Sequence, residues 1–157
     1  MKICGIDPGV SGAVAFLLDK HWAVYDMRIV ANALNPAALR DLLHTHAPEK
    51  CFLEFATTHP KDGRVGAFRY GALWGGIRAV LACCDVPYEL VTPGKWKAFY
   101  GLRQTDKEAS RAKALMLFPD IAGSLLLEEA SWARRVRSDY TLWITELSRR
   151  LNRPLFL

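Results

Sequence analysis

The chain has 157 residues, of which 51% are hydrophobic and 24% are charged, and its formal net charge is +5. This length suits one domain, able to bury about two-thirds of the surface that its unfolded chain exposes. No apolar run approaches the roughly 20 residues that cross a bilayer, and the first residues lack the pattern of a secretory signal. We therefore expect a single domain over residues 1–157, located in the cytoplasm and without a membrane partner.

The positive charge is concentrated in the second half of the chain. Residues 87–157 hold 12 Lys and Arg against 8 Asp and Glu, whereas residues 1–86 hold 9 against 8. Such an excess favours a polyanionic partner, most simply nucleic acid, although a solvated basic surface explains it equally well. Nine of these 12 lie in two clusters: Lys95, Lys97, Arg103, Lys107, Arg111 and Lys113, and then Arg134, Arg135 and Arg137.

The first half of the chain predicts a strand meander, a helix and a fourth strand. Three apolar runs predict antiparallel strands at residues 2–7, 12–18 and 22–27. Residues 36–46 predict a helix, because Asn35 is a favourable N-cap and leucines recur on one helical face. Residues 50–55 predict the fourth strand, and the polar stretch 57–66 predicts a loop.

The second half predicts helices alternating with one further strand. The helices are predicted at residues 68–84, directly after Thr92, at 106–118 and at 125–151, and the fifth strand at 87–91. Glycines at 71, 75 and 76 let another backbone approach the first of these helices closely. Thr105 and Glu108 form a capping box for the third. The order of elements gives an α/β domain with a five-stranded mixed sheet, three strands antiparallel and then two parallel.

Two acidic residues stand at the ends of apolar strand segments. Asp7 ends the first strand ("ICGID") and Glu54 ends the fourth ("CFLEF"). In open α/β sheets, ligands bind outside the carboxyl ends of the strands. If these two strands are parallel neighbours, the carboxylates share one place and repel each other unless a cation compensates. Mg²⁺ is a hard cation that prefers such oxygen ligands, so the pattern predicts a metal site.

The turn after Asp7 allows two interpretations of that residue. The Pro8-Gly9 pair is a good turn, and the Asp7 side chain is able to cap it without any metal. Glu54 has no turn residue beside it, which favours the metal site for the pair. Gly9 and Gly12 then let the chain turn away from the strand end and leave room for a phosphate group.

A series of motifs resembles the RuvC-type Holliday junction resolvases, and most closely their phage and prophage branch. The motifs are "GIDPGVSGAVAF", "FLEF", "GRVGAFRYGALWGGIRAVL", "PYELVTPGKWKAFYGL" and "TDKEASRAKALMLFP", which lie in the family's order and cover about residues 2–119. The resemblance implies an RNase H-like fold and a homodimer that binds branched DNA. It also implies Mg²⁺-dependent hydrolysis of phosphodiesters in four-way junctions by paired symmetric nicks, with Mn²⁺ as an alternative ion.

The resemblance also assigns roles to individual residues. Asp7 and Glu54 match the metal ligands of the first and fourth strands, and Lys107 matches a basic residue near the scissile phosphate. Phe68 and Tyr70 are candidates for stacking on an unpaired base, with core packing as the alternative. The candidate DNA-binding residues are Lys61, Arg64, Phe68, Arg69, Tyr70, Lys95, Lys97, Arg111 and Lys113.

The last helix departs from the family pattern. The family places two acidic or His residues about three positions apart there, in a stretch like "DxADAL", whereas this chain reads "RRVRSDYTLWITELSRR". Asp139 fits the first position, and Leu142, three residues on, cannot bind a metal. Glu146 lies two turns beyond Asp139, roughly 10 Å along the helix. We predict Asp139 as the third catalytic carboxylate, with helix capping as its alternative role, and Glu146 as a further candidate metal residue.

This departure leaves a second function open. A catalytically weakened protein of the same fold would bind junctions without cutting them. A phosphotransferase with actin-like architecture would need a second phosphate loop and a duplicated domain, for which 157 residues leave no room.

Overall fold

The computed structural model describes residues 2–10, 12–18, 21–55 and 63–104, together with residues 109, 112, 113 and 116. The strands are β1 (Lys2–Ile6), β2 (Ala13–Leu18), β3 (His21–Asp26), β4 (Ile29–Val30), β5 (Ala33–Leu34), β6 (Lys50–Glu54) and β7 (Tyr88–Val91). The helices are α1 (Pro36–His46), α2 (Arg64–Cys83) and α3 (Pro93–Phe99). Within these described residues, no helix is long and apolar enough to cross a membrane.

Five of the strands form one mixed sheet in the order β3-β2-β1-β6-β7. Strands β1, β2 and β3 pair antiparallel, and β6 pairs parallel with both β1 and β7. Parallel neighbours need a crossover connection. Helix α1 lies on the connection that returns the chain from β3 to β6, beside β1, and α2 connects β6 with its neighbour β7. The predicted five-stranded α/β sheet is therefore confirmed.

The two central strands β1 and β6 are buried on both faces of the sheet. Cys4, Ile6, Cys51 and Leu53 belong to a core that includes side chains of α1 and α2. Alternate positions such as Ile3 and Phe52 belong to a second core on the other face, with Val91 and Leu102. Burial on both faces explains why these strands read as continuous apolar runs rather than as alternating patterns.

Helix α1 has the bounds that the sequence predicts. Asn35 caps it, because the Asn35 side-chain oxygen accepts a hydrogen bond of 3.2 Å from the backbone N–H of Ala38. The apolar face buries Leu39 and Leu43. The helix ends where Ala47 takes a left-handed conformation, and the Ala47 N–H donates to the carbonyl oxygen of Leu43 at 2.8 Å.

Helix α2 begins four residues earlier than predicted. Residues 64–66 are helical, although the sequence predicts a loop through residue 66. Gly63 and Gly66 favour a loop in sequence reasoning, but the N–H of Ala67 donates to the carbonyl oxygen of Gly63 at 3.0 Å and closes the first turn. The predicted helix over 106–118 is described only at residues 109, 112, 113 and 116, which are helical. The one predicted over 125–151 lies outside the described residues.

A short hairpin, β4–β5, is absent from the sequence prediction. Its turn holds Ala31 and Asn32 at positive φ, 49° and 62°, which is the conformation of a tight hairpin turn. Alanine seldom adopts this conformation, so the sequence gives little indication of the turn. The hairpin packs on α2, where a Cβ added to Gly76 would lie 3.2 Å from Cδ2 of Leu34.

The turn between β1 and β2 is closed by backbone hydrogen bonds. The N–H of Gly12 donates to the carbonyl oxygen of Gly9 at 2.9 Å, and the N–H of Asp7 donates to that of Ala13 at 3.0 Å. A Cβ added to Gly12 would overlap the carbonyl oxygen of Asp7 and lie 2.6 Å from the nitrogen of Gly9. The position therefore requires glycine, and the turn holds Asp7 at the end of β1.

We expect Gly12→Ala to destabilise the fold by about 2 kcal/mol or more, because the added Cβ meets backbone atoms that cannot move independently. Gly94→Ala is the matched control, since a Cβ on Gly94 in α3 meets no atom within 4 Å. Urea unfolding of both variants measures the difference. Equal free energies of unfolding would show that the turn relaxes and does not need glycine.

Candidate active site

Asp7 and Glu54 come from neighbouring positions at one edge of the sheet. Strands β1 and β6 run parallel with Ile6 opposite Leu53, so the next residue on each strand is one of the two acids. Neighbouring strands lie about 4.8 Å apart. Both acids are half-buried, which weakens the screening of their charges by water. The expected juxtaposition of the two carboxylates therefore follows directly from the strand register.

Tyr70 of α2 brings a third polar group to this edge. Burial raises the pKa of the Tyr70 hydroxyl, and the negative charges of Glu54 and Asp7 raise that pKa further. The oxygen of this hydroxyl is buried and has no hydrogen-bond partner among the described residues. Sequence reasoning selected Tyr70 for base stacking and had no signal for its position beside the carboxylates.

The donor set fits a hard divalent cation. Among the described residues, no cluster contains three or more His, Cys, Asp or Glu side chains able to hold a metal. Mg²⁺ is commonly held by only one or two protein carboxylates, with water and substrate phosphate oxygens completing its shell. Asp7 and Glu54 match that requirement. The predicted third carboxylate, Asp139, and the further candidate Glu146 lie outside the described residues.

Several of the predicted DNA-binding residues surround the same edge. Arg64 and Arg69 are exposed on the first turns of α2, and Lys95 is exposed on α3. Helix α3 starts just after Val91, which pairs with Glu54, so its first turn lies at the carboxyl ends of the strands. Two further predicted DNA-binding residues, Lys97 and Lys113, are half-buried. Lys61 and Arg111 lie outside the described residues, as does Lys107, the basic residue predicted near the scissile phosphate.

A cleft of about 500 Å³ opens beside Pro8, the residue after Asp7, and Tyr70. Its walls come from the β1–β2 turn, the β4–β5 turn and the first three turns of α2. They are formed by Pro8, Val10, Asn32, Gly63, Gly66, Arg69, Tyr70 and Leu73. Sequence reasoning missed Val10 and Asn32 as wall residues, because their places depend on the unpredicted hairpin and on the path of the turn. Phe68 is 77% exposed, and its stacking role stays a prediction.

The outer face of α2 carries small residues. A Cβ added to Gly71 or Gly75 would meet no atom within 4 Å. Trp74 packs within its own chain: its ring lies 6.1 Å from that of Phe55. Arg78 lies over the Trp74 ring at 4.5 Å and donates a hydrogen bond of 2.7 Å to the hydroxyl of Tyr88.

Comparison with solved structures finds the same fold in three resolvase structures. RuvC from Thermus thermophilus gives a TM-score of 0.65 at 17% identity, covering 96% of both chains. The same protein in complex with a Holliday junction substrate gives 0.62 at 16% identity, again over 96% of both chains. The yeast mitochondrial Holliday junction resolvase Ydc2 gives 0.51 at 13% identity, covering 96% of this chain and 83% of that one. The predicted RNase H-like fold is confirmed.

Sequence-based comparisons add nothing to this likeness. No protein-family model matches the chain, and no curated protein matches it. The structural likeness therefore establishes the fold, whereas the choice of candidate site residues depends on their positions in this chain.

We expect Mg²⁺ or Mn²⁺ to raise the melting temperature of the protein, because a ligand that binds only the folded state stabilises it. A cation at 100 times its Kd contributes about 2.7 kcal/mol, or roughly 5–10 °C for a domain of this size. Asp7→Asn should lose most of this shift. The control is Asp41→Asn, which removes an exposed acid of α1 that pairs with Arg40 at 2.7 Å. Equal cation-induced shifts in the two variants would contradict the site.

Proposed function

We propose that this protein is a structure-selective DNA endonuclease that resolves four-way junctions. The observation that carries the proposal is the pairing of Asp7 and Glu54 at the carboxyl ends of parallel β1 and β6. It is supported by the shared fold with T. thermophilus RuvC, a protein whose structure is known in complex with a Holliday junction substrate. The motifs over residues 2–119 that resemble the RuvC-type resolvases support the same activity.

The proposed chemistry is hydrolysis of a phosphodiester at the sheet edge. Asp7 and Glu54 would hold the cation, with Asp139 as the third carboxylate and Glu146 as a further candidate. A bound Mg²⁺ or Mn²⁺ supplies a Lewis acid that lowers the pKa of water and offsets charge on the phosphate. Lys107 would place a positive charge near the scissile phosphate.

The basic residues around the edge are proposed to hold the DNA backbone. Arg64, Arg69 and Lys95 are exposed on α2 and α3, and Arg69 lines the cleft together with Pro8 and Tyr70. Each phosphate contact releases counterions from the DNA, so such residues supply affinity that falls steeply with salt. Lys61, Lys97, Arg111 and Lys113 complete the proposed set. A positively charged rim around a negatively charged centre lets the DNA approach the carboxylates despite their repulsion for phosphate.

Paired nicks require two matched sites, so we propose that the protein acts as a homodimer. The outer face of α2 suits close contact with a second copy, because Gly71 and Gly75 place no side chain there. Arg78 and Trp74 are held by their own chain at the border of this face. A monomeric mass by light scattering at micromolar concentration would contradict the dimer.

We expect the protein to nick a labelled four-way junction in Mg²⁺ and to leave a linear duplex of the same sequence intact. Asp7→Asn and Glu54→Gln should each lower nicking by at least about 100-fold, because they remove ligands of the cation that stabilises the transition state. Junction binding, measured by gel shift, should change little. Asp41→Asn is again the control.

Near wild-type nicking by either Asp7→Asn or Glu54→Gln would contradict the assignment of these two residues as cation ligands. Junction binding by the wild-type protein without any nicking would support the second candidate function instead, a junction-binding protein. The feature that favours this alternative is Leu142, which occupies the position where the RuvC-type resolvases have a metal ligand.

A further inference from the structure

The hydroxyl of Tyr70 is a buried polar group that the proposed chemistry has not yet used. Its oxygen has no hydrogen-bond partner among the described residues. Leaving a buried hydroxyl unpaired destabilises the folded state, and phenylalanine would fill the same place without that cost. Since buried polar groups are almost always paired, an unpaired one calls for a ligand or a bound water that the protein chain itself does not provide.

The surroundings of this hydroxyl indicate what kind of partner it takes. Phe55, which follows Glu54 in the chain, packs on Trp74, one turn along α2 from Tyr70, with their ring centroids 6.1 Å apart. A tyrosine hydroxyl is a hydrogen-bond donor, and the atoms that attract such a donor are negatively charged or strongly polar oxygens. The ring also lines the cleft beside Pro8, which follows Asp7 in the chain. The donor therefore lies at the place where a cation and its oxygen ligands would sit.

We propose that Tyr70 is a positioning residue whose hydroxyl donates a hydrogen bond to an oxygen in the ligand shell of the cation held by Asp7 and Glu54. This inference rests on the cation site of the proposed function. Groups that bond to metal ligands in this way fix ligand orientation, and their loss commonly costs 10–100-fold in metal affinity or activity. Tyr70 would thus act on the cation and its bound oxygens, not on the DNA bases.

Two other roles for Tyr70 make different demands on its structure. Base stacking uses the aromatic ring and does not need the hydroxyl. A structural role, with the hydroxyl bonded to the protein through a buried water, makes the hydroxyl stabilising whether or not a cation is present. Tyr70→Phe removes only the hydroxyl and keeps the ring, so it separates these roles.

The test compares full-length wild type with Tyr70→Phe and with a matched control, Tyr88→Phe. Tyr88→Phe removes a hydrogen bond within the protein, because the Tyr88 hydroxyl accepts one of 2.7 Å from Arg78. Urea unfolding without divalent cation measures stability, and isothermal titration with Mn²⁺ measures cation affinity. A gel shift without cation measures junction binding, and nicking in Mg²⁺ measures activity.

For Tyr70→Phe we expect cation-free stability that equals or exceeds wild type, together with a 10–100-fold loss of Mn²⁺ affinity. For Tyr88→Phe we expect lower stability and unchanged Mn²⁺ affinity. Unchanged Mn²⁺ affinity in Tyr70→Phe would overturn the inference. Lower cation-free stability in that variant would also overturn it, because the hydroxyl would then have a structural partner.

The affinity measurement separates this inference from the proposed function. If the wild-type protein binds Mn²⁺ but nicks no junction, the endonuclease proposal is wrong. The role of Tyr70 is then still tested by the Mn²⁺ affinity of Tyr70→Phe relative to that of the wild type. A wild-type protein that binds no Mn²⁺ overturns the inference together with the cation site.

Discussion

The parallel pairing of β1 with β6 is the constraint on which the candidate site depends. Both strands are buried on both faces, and a slip of one residue would exchange their two sets of apolar side chains between cores of different shape. The register is therefore fixed by packing, and it sets Ile6 opposite Leu53. The next residue on each strand is the carboxylate. Stability of the core and geometry of the site thus come from the same contacts, while the glycine turn holds Asp7 at the end of β1.

The site concentrates negative charge in a molecule that is positive overall. Two half-buried carboxylates on neighbouring strands repel each other, and a phosphodiester approaching them would add to that repulsion. The proposed divalent cation would remove both repulsions, because it would bind the carboxylates and attract the phosphate. The basic residues of α2 and α3 contribute attraction over a longer range. The unpaired hydroxyl of Tyr70 fits the same account, since it donates toward oxygens that a bound cation would organise.

Features set by local sequence were predictable, whereas those set by contacts between distant elements were not. The five strands of the main sheet are predicted by apolar runs. Helix α1 is predicted by its N-cap Asn35 and by the leucines that recur on one face of the helix. The hairpin β4–β5 depends on positive φ at Ala31 and on packing of Leu34 against Gly76, neither of which has a local signal. The pairing of Asp7 with Glu54 was predictable because both acids interrupt apolar strands. The position of Tyr70 was not, because it depends on how α2 lies over the strand ends.

We propose that Asp7 and Glu54 jointly hold a divalent cation. Crystals grown in Mn²⁺ test it most directly, because anomalous scattering locates manganese without reference to activity. We expect an anomalous difference peak at the carboxyl ends of β1 and β6, with one oxygen of Asp7 and one of Glu54 about 2.0–2.3 Å from it. A fully formed sheet with no peak there, or with manganese bound only at other acids, would contradict the account.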